Sequence, residues 1–163
     1  MYFARVIEKD ELPTWQRLRT EIYLSEGFIT PDQLNADGLF VDGEDDRSRH
    51  IAVFDALGEM VGTFRLIIRT KGRRLPVEKN FGVVTSRRRL SAELSGLAVR
   101  HEHRNGLVLL GLLRVMYDLA LNHGVHATYA ELEKPLLTQL IGLGFPFVKV
   151  GDSQIIYNTR NWP

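Results

Sequence analysis

The 163-residue chain carries 21 Lys and Arg against 20 Asp and Glu, with 44% apolar and 25% charged residues. That is the balance of an ordinary globular protein long enough to bury one core, and a single domain over residues 1–163 is expected. The absence of cysteine excludes disulfides, thiolate catalysis and cysteine-ligated zinc. No run approaches the ~18 apolar residues of a membrane span, and the opening MYFARVIEKDELP lacks the basic-then-apolar order of a secretory signal, so a cytoplasmic location is expected.

In chain order, YFARVIE reads as a strand. Pro13 suits the first turn of a helix whose Trp15, Leu18, Ile22 and Tyr23 recur at helical spacing and which should stop near Gly27. Thr30 and Pro31 would start a short helix over PDQLNAD, and Gly38 to Ser48 reads as a loop. HIAVFDALGEMVGTFRLIIR reads as two strands joined at LGE. A long basic loop over 70–90 follows, then the strand AELSGLAVR. One helix is expected over 104–122, buried through Leu109, Leu112, Leu113, Met116, Leu119 and Ala120 and stopped by Gly124. VHATYAEL reads as a strand, KPLLTQLIGLG as a helix ending at Gly144, and FVKV and QIIYN as closing strands. A meander of strands feeding strand-helix-strand-helix predicts a mixed α/β fold with a mainly antiparallel sheet flanked by helices.

Charge is unevenly placed. Asp42, Glu44, Asp45 and Asp46 form an acidic knot, while Arg69, Lys71, Arg73, Arg74, Lys79, Arg87, Arg88 and Arg89 form a basic stretch. Such a stretch is either a solvated face or a surface for an acidic partner, a carrier protein or nucleotide phosphates rather than nucleic acid.

The strand LAV, a charged turn and a long apolar helix, followed by LALNHGV and LIGLGF, resemble the GCN5-related N-acetyltransferase (GNAT) superfamily. In that superfamily the turn normally reads Arg/Gln-x-x-Gly-x-Gly/Ala and cradles the coenzyme A pyrophosphate. Here Arg104-Asn105-Gly106-Leu107-Val108-Leu109 keeps the arginine and one displaced glycine. The upstream half is similar to the acyl-homoserine-lactone synthase branch and the related N-acyl amino acid synthases. The branch's pattern appears as Arg19 and Tyr23, Asp42 and Asp45, Gly62 and Arg65, then Leu75, Pro76 and Phe81. Its E-x-S-R becomes Glu93-Leu94-Ser95-Gly96, so a glycine stands where the branch has an arginine.

The resemblance implies transfer of a fatty acyl group from an acyl carrier protein thioester, or from acyl-CoA, to the amine of an amino acid or S-adenosylmethionine. No tightly bound cofactor is implied. A general coenzyme A-dependent acetyltransferase and a non-catalytic ligand-binding member are the alternatives. Such a reaction needs the ammonium deprotonated, the oxyanion stabilised and the reactants held together. Glu93, at the head of an apolar strand, is the candidate base, with Ser95 beside it; its plainer reading is a strand-end glutamate paired with Arg65. Asp42 and Asp45 would bind the cationic acceptor or belong to a solvated loop. Arg19 and Arg65 would clamp a carboxylate or pin that loop, and Tyr23 and Phe81 would line the acceptor pocket.

Leu97, Val99, Arg104, Asn105 and Gly106 would meet the phosphopantetheine arm, and Arg87, Arg88 and Arg89 would dock the carrier. DGEDD does not fit a calcium loop, and His101 and His103 read as a surface turn, so no metal is expected. Trp15, Phe28 and Phe40 read as core or pocket wall.

Overall fold

The structure, a computed structural model, describes residues 1–86 and 88–163; Arg87 and its expected docking role lie outside the described residues. A five-stranded sheet runs in the order β1 (Phe3–Val6), β2 (Ser48–Phe54), β3 (Met60–Ile68), β4 (Ser91–Val99) and β5 (Ala127–Ala130). The first four pair antiparallel, and β5 lies parallel to β4. Strand β2 shows why both faces must be covered. Ile51 and Val53 enter one apolar cluster and Ala52 and Phe54 enter another, as the period of two requires.

Helix α1 (Leu12–Ser25) covers one face with Trp15, Leu18 and Ile22. Pro13 sits in its first turn and Gly27, at φ +72°, follows its end. Helix α3 (Leu107–Asn122) covers the other face through the expected stripe, with Val108, Leu109, Leu112, Leu113, Met116 and Ala120 buried. It can approach because β3 carries Gly62 there; a Cβ at that position would lie 2.6 Å from Val108 Cγ1. Helix α4 (Lys134–Gly142) buries Leu137 and Leu140. A second, three-stranded sheet joins β6 (Leu132–Glu133), β8 (Thr159–Trp162) and β7 (Gln154–Ile156) in that order.

The mixed α/β reading holds, with local corrections. Helix α3 starts at Leu107 rather than 104, because His101–His103 winds a separate turn and Gly106 adopts φ +84°. PDQLNAD forms only one short turn, Pro31–Gln33. The basic loop contains a helix, α2 (Pro76–Asn80), started by Pro76 and by Glu78 Oε2, which accepts the Leu75 N–H at 2.7 Å. FVKV is not a strand: Val148 is 77% exposed, and Val150 N–H instead reaches the Pro163 carbonyl at 3.0 Å. The helix expected to end at Gly144 stops at Gly142.

Two irregularities shape the centre. Strand β5 pairs with β4 only from Ser91–Ala127 to Leu94–Ala130. The chain then leaves at Glu131 for β6, which pairs with β8, so the second half of β4 stands apart from it and the sheet splits. On the other side of β4 the register slips: Thr63 faces Ala98 but Arg65 faces Ser95. One extra residue is thus accommodated at a bulge where Gly96 takes φ +65°.

Candidate active site

The split between β4 and β5 opens a cleft of ≈ 430 Å³, within the range of small-molecule sites. Leu109 and Leu113 of α3 and Leu136 and Leu140 of α4 give it apolar walls, and Glu93 and Ser95 of β4 and Glu131, between β5 and β6, line it as well. Tyr23 and Phe28 close one end beside Tyr157, with ring centroids 5.6 Å and 6.0 Å from Tyr23.

Glu93 is 2% exposed and its Oε2 accepts the Val77 N–H at 2.8 Å. Its salt bridge with Arg65, the plainer expectation, does not form; Arg65 is engaged elsewhere. Burial and then the neighbouring Glu131 push the Glu93 carboxyl well above the ordinary carboxylate range, against the pull of the Val77 N–H. Glu131, absent from the sequence reading, accepts the Asn80 amide at 2.9 Å, and burial pushes it up to about 7. Glu133 is raised as well, chiefly by burial. Alternation along VHATYAELE could have flagged Glu131 and Glu133, since Tyr129, Glu131 and Glu133 share a period of two.

The acidic loop is built the opposite way. Arg65, 1% exposed, grips Asp42 with both Nη atoms, Nη1 to Oδ1 at 2.9 Å, and holds Asp45 Oδ1 at 2.7 Å. Asp45 also receives Gln16 Nε2 at 2.7 Å and lies 3.0 Å from His50 Nε2. Arg19 lies between the Trp15 and Phe40 rings, donates to the Phe40 carbonyl at 2.6 Å and approaches Asp42 at 3.7 Å. Burial would raise both aspartates, but Arg65 at Asp42, and His50, Arg19 and Arg65 at Asp45, hold them below the ordinary range. Asp42, Asp45, Arg19 and Arg65 therefore face one another, and none lines the cleft. Both arginines contact the acidic loop and its neighbours rather than the cleft.

Gly96 lies where these two regions meet. A Cβ there would sit 2.8 Å from Trp15 Cη2 and 3.4 Å from Arg65 Cγ, so any side chain, above all the arginine of the resembling branch, would be strained and would force Trp15 to shift. Ser95 lines the cleft and its Oγ lies 3.3 Å from Arg65 Nη2. Phe81 packs instead in a satellite cluster against Ile67, Leu75 and Val77. Trp15 is fully buried core, its Nε1 donating to the Ile51 carbonyl at 3.0 Å.

Leu97, Val99, Arg104 and Gly106 line the cleft near the start of α3, and Asn105 caps that helix by accepting the Leu107 N–H at 3.1 Å. Arg104 is tied to Glu26 at 2.5 Å and to the Val99 carbonyl at 3.0 Å. Much of the basic stretch answers the acidic knot: Arg73 pairs with Asp46 and Lys79 with Glu44, while Arg74, Arg88 and Arg89 are exposed. Among the described residues no group of three His, Asp or Glu could hold a metal ion, and no helix is long and apolar enough to cross a membrane.

A family model described as N-acyl amino acid synthase FeeM matches residues 14–136. No curated protein matches the chain in sequence. Among solved structures, FeeM, an N-acyl amino acid synthase from uncultured soil microbes, is 19% identical with a TM-score of 0.77, covering 99% of this chain and 88% of its own. BjaI, a coenzyme A-dependent acyl-homoserine lactone synthase solved with SAM and isopentyl-CoA, is 22% identical with a TM-score of 0.77, covering 99% and 80%. Glucosamine-6-phosphate N-acetyltransferase from Arabidopsis thaliana is 10% identical with a TM-score of 0.62, covering 94% and 97%. The fold is that of the acetyltransferases.

Proposed function

The chain belongs to the N-acyl amino acid synthase FeeM family, and from that premise we propose that it moves a fatty acyl group from a carrier-protein thioester to the amine of a small acceptor. The whole chain acts as one cytoplasmic acyltransferase domain. The observation that carries this reading is the split between β4 and β5, apolar along α3 and α4 and lined by Glu93 and Glu131 along the strands.

The acceptor enters as an ammonium ion. Glu93 and Glu131 titrate as a coupled pair; Glu131, poised near 7, is the member able to take the first proton at neutral pH. Glu93, more deeply buried and anchored on the Val77 N–H, fixes the pair. The freed amine attacks the thioester carbonyl and forms the C–N bond. Backbone N–H groups at the Gly96 bulge, displaced from the regular ladder, stabilise the oxyanion. The C–S bond then breaks, and the remaining ammonium proton passes to the departing thiolate. Ser95 Oγ, which accepts from Arg65, is left with its own O–H to donate toward that sulfur.

Arg88 and Arg89, both exposed, with Arg87 beside them in sequence, supply the docking face for an acidic carrier. Coenzyme A as donor is the second reading, favoured by the shared fold of BjaI, whose structure holds isopentyl-CoA. The test compares amine-dependent thiol release from carrier-protein, coenzyme A and pantetheine thioesters, with the amide identified by mass. Reversing Arg88 and Arg89 to glutamate should slow the carrier thioester alone, through its association rate. Equal loss with all three donors would refute carrier docking, and no amine-dependent release from any donor would refute acyl transfer.

A further inference from the structure

We infer that the acceptor is an amine that carries no carboxylate, a primary mono- or diamine rather than an α-amino acid; this rests on the acyltransferase reading above. The charges lining the cleft lead to it. Among the described residues, four carboxylates line the cavity: Glu26, Glu93, Glu131 and Glu133. Arg104 and His103 are the basic residues there. Both are engaged, Arg104 with Glu26 and the Val99 carbonyl, and His103 Nδ1 with the Tyr2 hydroxyl at 2.9 Å.

The arginines that would suit a substrate carboxylate lie elsewhere. Arg19 and Arg65 are each 1% exposed and turned to Phe40, Asp42 and Asp45. Position 96 cannot supply one either, because Trp15 occupies the space of its Cβ. An acceptor carboxylate would therefore enter a cavity lined by other carboxyl groups, where among the described residues Arg104 is already paired with Glu26 and Arg19 and Arg65 with the acidic loop, so little offsets its desolvation. An ammonium group meets the opposite field. A second ammonium on a diamine would find Glu133, which stands two residues beyond Glu131 on the neighbouring strand.

The experiment supplies the full chain with acyl thioesters of both carrier protein and coenzyme A and with matched acceptor pairs: phenethylamine with phenylalanine, agmatine with arginine, putrescine with ornithine. Each amine should exceed its amino acid by ~10-fold or more in kcat/KM, and Glu133→Gln should lower kcat/KM for agmatine and putrescine more than for phenethylamine. Amino acids acylated as well as or better than the matching amines would overturn the inference while leaving acyl transfer standing. No acylation of any acceptor would overturn both.

Discussion

Two acidic regions of this molecule look alike in sequence and behave in opposite ways. Asp42 and Asp45 sit within reach of two buried arginines, a histidine and a glutamine, and are held ionised below the ordinary carboxylate range. Glu93 and Glu131 are also buried, but their partners are a backbone N–H and a side-chain amide, and both are pushed upward. The difference teaches that the partner, not the acid, decides the role. A carboxylate matched by arginine organises the chain, whereas one matched only by neutral donors keeps a titratable proton near neutral pH.

The largest expected effect lies in the cleft. Glu131→Gln removes the proton acceptor with little change in shape, so acyl transfer should fall by ~10² to 10⁴ while urea unfolding shows no loss of stability. A stable variant with near-normal turnover would end the functional half of the comparison. In the loop, Arg65→Ala leaves two buried aspartates without their main partner and should destabilise by about 3–5 kcal/mol, measured by urea denaturation. Arg65→Lys should recover only part of that, since lysine cannot span Asp42 with two parallel bonds.

At the junction, Gly96→Ala must hold a side chain at φ +65° against Trp15. Left-handed strain and overpacking together should cost about 2–4 kcal/mol, read from the same denaturation curves.

The smallest effect sharpens the contrast through pH. Glu131 has a raised folded-state pKa, so between about 4.5 and 7 the folded chain binds more protons than the unfolded one. Its contribution is complete below the lower value and is lost as pH rises, by roughly 2–3 kcal/mol. Glu93, also raised by burial, acts with the same sign. Asp42 and Asp45, with lowered values, contribute above about 3.8 and lose stability as pH falls further. Stability should peak near pH 4 to 5, and Glu131→Gln should flatten only the alkaline limb.

Much of this fold was legible because its periodicities are strong. The stripe of α3, the two-sided burial of β2 and the turn at Gly27 follow from spacing alone. What was hidden depended on neighbours distant in the chain. Gly96 reads as a lost arginine until Trp15, 81 positions away in sequence, is seen to fill its space. Asp42 and Asp45 read as partners of a cationic acceptor or as a solvated loop, and the Arg65 that bonds both comes from 23 and 20 positions away in sequence. Glu131 follows the alternation of VHATYAELE, but no local pattern announces the split of the sheet that opens the cleft beside it.

The comparison stands or falls on the protonation of the cleft. Carbon-detected titration of side-chain carboxyls in uniformly labelled protein follows each group directly, with Glu131 assigned from the Glu131→Gln spectrum. Glu131 should titrate near 7, while Asp42 and Asp45 stay ionised below the ordinary aspartate range. A Glu131 midpoint at the ordinary 4.5, with the aspartates titrating beside it, would contradict the account.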